Sequence, residues 1–164
     1  MELELVFPDN DQAIQFLGES VINYRKHGDL TQADLTKVRS ARDAANFLRK
    51  LYDDQIMIRE TMFLLIMDQG HQIIAYAKLA EGDIASCTFP MRLALKHMLN
   101  NLATACIVAH NHPSGALHPS ENDKRMTKKF NEACKALDFK LLDHIIMTED
   151  SHYSFADNGE RSLS

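Results

Sequence analysis

No two cysteines in this chain are spaced for a zinc ribbon or a dithiol redox couple. The three present, Cys87, Cys106 and Cys134, are odd in number and far apart, and no C-x-x-C occurs. Cys106 and Cys134 fall within apolar periodicities and read as packed core residues. Free thiols make a cytoplasmic location the expectation. Long hydrophobic runs are also missing: none approaches the roughly 20 residues that cross a bilayer, so no membrane span is expected. Residues 1–11 are acidic, without the basic and apolar stretches of a secretory signal. Positive charge is scarce, with 18 Lys and Arg against 23 Asp and Glu and a net charge of -5. That balance does not favour a nucleic-acid partner gripped by the whole surface. The one basic concentration, Lys124, Arg125, Lys128, Lys129 and Lys135, falls on a single expected helix. It reads as a solvated face, with contact to phosphates or an acidic substrate segment as the alternative.

What is present describes one globular domain. The 164 residues, 45% hydrophobic and 25% charged, can bury a core but hardly two. Alternation over residues 2–7 predicts a short strand, and Ile14, Leu17 and Val21 are spaced for a weak helix. Ser40-Ala-Arg-Asp43 resembles a capping box opening a helix with Ala44, Phe47, Leu48 and Leu51 on its inner face. Met62 to Met67 and Gln72 to Leu79, joined by Asp68-Gln-Gly-His71, predict a hairpin. Pro90 opens a helix whose inner residues are expected to be Met91, Ala94, Leu95, Met98, Leu99 and Leu102. Ala103 to Ala109 predicts a buried strand that delivers His110. Ser120 caps a helix with Met126, Phe130, Ala133, Cys134 and Leu137 inward. Phe139 to Met147, and then Tyr153 to Phe155, predict two further strands. This order predicts an α/β layered domain with a mixed sheet.

One stretch carries chemistry. His110-Asn-His112 is followed, after seven residues, by Ser120-x-x-Asp123. In extended backbone residues i and i+2 share a side, so both imidazoles can approach one ion. Asp123 stands one turn into the next helix, where its carboxylate can turn back. Two nitrogens and an oxygen with a water in the fourth place suit Zn²⁺, which brings a bound water to a pKa of roughly 7. Each half alone has a plainer reading: a chance His-x-His, and a capping box at Ser120. Their joint spacing is what points to a metal. Other metal motifs are missing, since neither His-Glu-x-x-His nor the deaminase pair of His-x-Glu and Pro-Cys-x-x-Cys occurs. The letters His-Asn-His do not make an HNH nuclease, whose three residues are well separated.

The combination resembles the JAMM metalloprotease signature of the JAB/MPN superfamily. Ala109-His-Asn-His-Pro-Ser-Gly115, with Leu142-Asp-His144, resembles its RadC-like branch, and the likeness runs from about Ser40 to Gly159. It implies a mixed, largely antiparallel sheet flanked by helices (a JAB/MPN, cytidine-deaminase-like layered fold) over residues 40–164. Residues 1–39 stay unassigned; they do not resemble the helix-hairpin-helix region of longer relatives. The implied cofactor is one Zn²⁺ per chain, held by His110, His112 and Asp123, and the implied partner is a peptide or protein substrate. The family's general base is a glutamate opening an early buried strand. Glu60-Thr-Met-Phe63-Leu-Leu-Ile-Met-Asp68 fits, with Phe displaced by one place, and Glu81 is the reserve. Ser120 would donate to the oxyanion. The outcome would be hydrolysis of an amide or isopeptide bond.

Asp143 and His144 either orient a metal ligand from behind or pair with each other beside the core. His118 reads as a loop residue, and His27, His71, His97 and His152 as surface. The alternative function is a noncatalytic RadC-like domain that binds DNA or a protein partner in DNA repair or mobile-element biology.

Overall fold

The computed structural model describes residues 37–52, 56–82 and 89–163. The strand expected at 2–7, the helix through Ile14, Leu17 and Val21, and residues His27 and Cys87 lie outside them. Among the described residues, α1 (Ala41–Tyr52), α2 (Met91–Asn100) and α3 (Glu121–Ala136) enclose five strands. These are β1 (Thr61–Met67), β2 (Ile73–Glu81), β3 (Ala105–Asn111), β4 (Lys140–Met147) and β5 (His152–Ser154). They form one sheet in the order β2-β1-β3-β4-β5. Only β3 and β4 run parallel; every other neighbouring pair is antiparallel, including the expected β1–β2 hairpin. The fold is therefore α/β, with a mixed, mostly antiparallel sheet covered on both faces.

Period-2 alternation explains the two cores. Phe63, Leu65 and Met67 of β1 and Ile107 and Ala109 of β3 face α1, packing on Ala44, Ala45, Leu48 and Tyr52. Met62, Leu64 and Ile66 of β1 and Cys106 and Val108 of β3 face the other way, onto Ala94, Met98, Phe130 and Cys134 of α2 and α3. Cover on both sides is why β1 reads as an unbroken apolar run, buried at every position. Cys106 and Cys134 are free, buried thiols in the second core, as their periodicity implies. Lys37 bridges Gln72 and Val38 packs into the first core, so the described chain joins the sheet before Ser40.

Three expected inner leucines face solvent instead. Leu99 is 51% exposed at the edge of the α2 stripe. Leu102, 72% exposed, is past the helix: its N–H bonds the Leu99 carbonyl and that of Ala103 bonds Met98. This Schellman cap puts Leu102 in left-handed backbone at φ 50°, off the helical rotation. Leu137 meets the same fate at the end of α3, where Asp138 takes φ 58° and Phe139 N–H reaches the Cys134 carbonyl. Ser40 caps α1 through its Oγ, 3.2 Å from Asp43 N–H, and the Asp43 carboxylate reaches back both to Ser40 and to Arg39 N–H at 2.9 Å. Arg125, Lys128, Lys129 and Lys135 lie on the solvent side of α3, and Lys124 pairs with Glu121 at 3.2 Å. No described helix is long and apolar enough to cross a membrane.

Candidate metal centre

The parity that turns Val108 toward α3 also turns His110 there, at the carboxyl end of β3. Backbone pairing continues past the strand, with His112 N–H donating to the Met147 carbonyl at 2.9 Å, so His112 follows on the same side. Ser120 stops the intervening loop and starts α3. Its Oγ accepts from Asp123 N–H at 3.1 Å, and Asp123 Oδ2 accepts from Ser120 N–H at 2.7 Å. The complete capping box thus swings the Asp123 carboxylate back over the amino end of the helix, toward the histidines.

The result is a cluster whose ligand atoms all lie within 4.8 Å of one another. His110 Nε2 is 2.9 Å from His112 Nε2 and 3.5 Å from Asp123 Oδ1, and His112 Nε2 is 3.9 Å from Asp123 Oδ2. His112 Nδ1 is 2.7 Å from the Ala116 carbonyl, which can only accept, so Nδ1 carries a proton and Nε2 is the nitrogen turned to the cluster. Burial holds His110 at about 4, well under its ordinary value; Asp123 opposes the shift and His112 adds to it. A neutral ring is what a metal ligand must be. Two imidazole nitrogens and a carboxylate oxygen fit Zn²⁺ with a position left open.

Glu60 precedes β1 by one residue. Met62 pairs with His110, so continuing the antiparallel register two residues outward brings Glu60 level with His112. Burial pushes its carboxyl above the usual range; His112 pulls it down and Asp123 pushes it up, which marks both as close charges. The segment is held by Asn111, fully buried between the two histidines. Its Oδ1 accepts from Thr61 N–H at 2.7 Å, and its Nδ2 donates to the carbonyls of Ile56 at 2.6 Å and Arg59 at 2.8 Å.

The other candidates occupy distinct environments. Ser120 Oγ–H donates to Asp123 Oδ2 at 2.6 Å. Glu81 is opposite Thr61, paired with Arg59 at 3.1 Å and with Lys78, and these two cations hold its carboxyl below the usual range. Asp143 is buried and does not pair with the His144 ring. It accepts from the N–H groups of His144 and Ala156 and from Ser154 Oγ, tying β4 to the turn after β5. His144 instead puts Nε2 2.7 Å from His110 Nδ1 and stacks on Phe155 at 4.5 Å. His118 is exposed, 6.5 Å from the Tyr153 ring between centroids.

Two residues escaped sequence reasoning. Asn111 was hidden by its place inside His-x-His, where only the flanking residues looked chemical. Thr127, 1% exposed, follows Asp123 by four residues, and that spacing places both on one helix face.

A family model described as the RadC-like JAB domain matches residues 38–160. A UPF0758 protein of Flavobacterium johnsoniae is 40% identical over 125 residues, covering 76% of this chain and 54% of that protein. UPF0758 proteins of Porphyromonas gingivalis (38% over 102 residues, 62% and 45% covered) and Photobacterium profundum (33% over 135 residues, 82% and 59% covered) are also similar. The chain spans about half the length of the curated relatives it matches.

Proposed function

The chain belongs to the RadC-like JAB domain family, and from that premise we propose that it is a zinc-dependent hydrolase of peptide or isopeptide bonds. The observation that carries the reading is the convergence of His110, His112 and Asp123 within 4.8 Å, and the half-buried Glu60, two residues before the Met62 that pairs with His110, supports it. His110, His112 and Asp123 would hold the ion. Zinc there would supply a Lewis acid that acidifies a water and polarises the scissile carbonyl. Glu60 takes the proton from the attacking water and returns it to the amine nitrogen as the C–N bond breaks. Burial raises its carboxyl toward neutral pH, where proton transfer is better matched, and a bound cation would act against that rise. Ser120 must exchange its present Asp123 acceptor for the developing oxyanion, a donor role worth about 2.7–4 kcal/mol where such groups have been removed.

The test begins with metal content: the purified protein should hold about one zinc per chain, and His110→Ala should hold none. A folded wild type that takes up no zinc would end this reading. In a peptide-library cleavage assay, Glu60→Gln should keep the metal and lose turnover by roughly 10²–10⁴-fold.

A further inference from the structure

We propose that Thr127 and His144 are positioning residues that commit His110 to the Nδ1–H tautomer, baring its Nε2 toward His112 and Asp123 before any ion arrives. The positioning role rests on the metal-centre reading above; the tautomer itself follows from counting protons along a buried chain. Thr127 Oγ1 has one proton and two neighbours, each at 2.6 Å: the Asp123 main-chain carbonyl and His144 Nδ1. A carbonyl cannot donate, so the hydroxyl proton goes to it and His144 Nδ1–H must donate to the oxygen. His110 and His144 are both 0% exposed, and burial disfavours the charged ring. A neutral His144 with its proton on Nδ1 has only an acceptor at Nε2. His110 Nδ1, 2.7 Å away, therefore donates to it, and His110 Nε2 is left bare.

The reverse order can be written. His110 Nε2–H would donate to His112 Nε2 at 2.9 Å, His144 Nε2–H to His110 Nδ1, and Thr127 O–H to His144 Nδ1. That arrangement leaves Thr127 Oγ1 and the Asp123 carbonyl as two acceptors in contact at 2.6 Å, with Thr127 only 1% exposed. Helix geometry sets this contact, since a threonine hydroxyl naturally meets the carbonyl four residues back. The favoured order has an acceptor pair of its own, His110 Nε2 and His112 Nε2 at 2.9 Å, but it lies at the partly exposed His112, where a cation can enter and relieve it, whereas the Thr127–Asp123 contact is closed inside the helix face. Thr127 therefore tips the choice between the two networks. The chain also closes on itself: the residue whose side chain is one ligand, Asp123, supplies the carbonyl that orders the protons of another.

The experiment is nitrogen NMR of histidine side chains in the metal-free protein, with zinc affinity from chelator competition. Wild type should carry the His110 proton on Nδ1. Thr127→Val should shift it toward Nε2 and weaken zinc binding about 10–100-fold, and Thr127→Ser should restore both. A wild-type His110 protonated on Nε2 overturns the proposal, as does zinc affinity in Thr127→Val within about twofold of wild type. Where Thr127→Val fails to fold, the wild-type spectrum and Thr127→Ser decide. A wild type that binds no zinc sinks the hydrolase reading alone, and the imidazole spectrum still passes or fails this one.

Discussion

The Asn111 carboxamide grips the main chain on both sides of Glu60, accepting from Thr61 N–H and donating to the Ile56 and Arg59 carbonyls. A residue lodged between the two candidate ligand histidines thereby sets where the candidate base stands. All its polar atoms are consumed in doing so, which is why it can be fully buried.

Asn111→Ala should strand one buried donor and leave two carbonyls short of a partner. We expect a loss of about 3 kcal/mol or more in urea unfolding, each unsatisfied buried group costing about 1–3 kcal/mol. Turnover should fall further than zinc affinity, because Glu60 loses its anchor. A change under about 1 kcal/mol would mean that water replaces the carboxamide.

Glu60 acts as a base only when ionised. Burial raises its carboxyl in the metal-free protein and a bound cation would draw it back down, so kcat/KM should show an acid limb, with activity falling as pH drops through the carboxyl of the loaded site. Glu60→Gln should remove the limb along with most of the activity. An acid limb that survives at full height in Glu60→Gln would assign it to another group.

Asp143 has its carboxyl raised by burial, against the pull of bonds from Ser154, Ala156 and His144. The folded state thus binds its proton more tightly than the unfolded chain. Its contribution to stability is fully present below the unfolded value and is lost as pH rises through the folded one. Asp143→Asn keeps an acceptor for the two N–H groups and lets Ser154 Oγ accept. As pH rises above the ordinary 3.8 the variant should show a flatter stability curve than wild type. An unchanged slope in a pH series of thermal melts would show that Asp143 is not the titrating group.

Leu102 sits at φ 50° with 72% of its surface exposed. A left-handed leucine costs roughly 1–2 kcal/mol, and glycine adopts this conformation freely. Leu102→Gly should therefore stabilise by about 1 kcal/mol, raising Tm by roughly 3 °C. A lowered Tm would show that the exposed side chain packs against something in solution.

Much of the fold follows from short-range pattern. The unbroken apolar run of β1, the turn before β2 and the cap at Ser120 are local events, and each described element appears within a few residues of its expected place. Failures occur where a local pattern runs past its element. Leu102 and Leu137 continue the helical spacing, but Leu102 is itself left-handed and Leu137 is the last residue before left-handed Asp138.

The site divides along the same line. His110 and His112 share a side because strands alternate, and Asp123 turns back because Ser120 caps its helix; spacing alone carries both facts. The meeting of those two pieces required α3 to pack on the face of β3 that carries Cys106 and Val108, and the arrival of Glu60 required the antiparallel pairing of β1 with β3. His144 reaches His110 only because β4 lies parallel to β3 beneath α3. Such contacts join residues far apart in the chain, where periodicity has no reach and packing selects the partner. The ligands are therefore a property of local sequence, while the base, its anchor Asn111 and the proton order set by Thr127 are properties of the assembled sheet and helix.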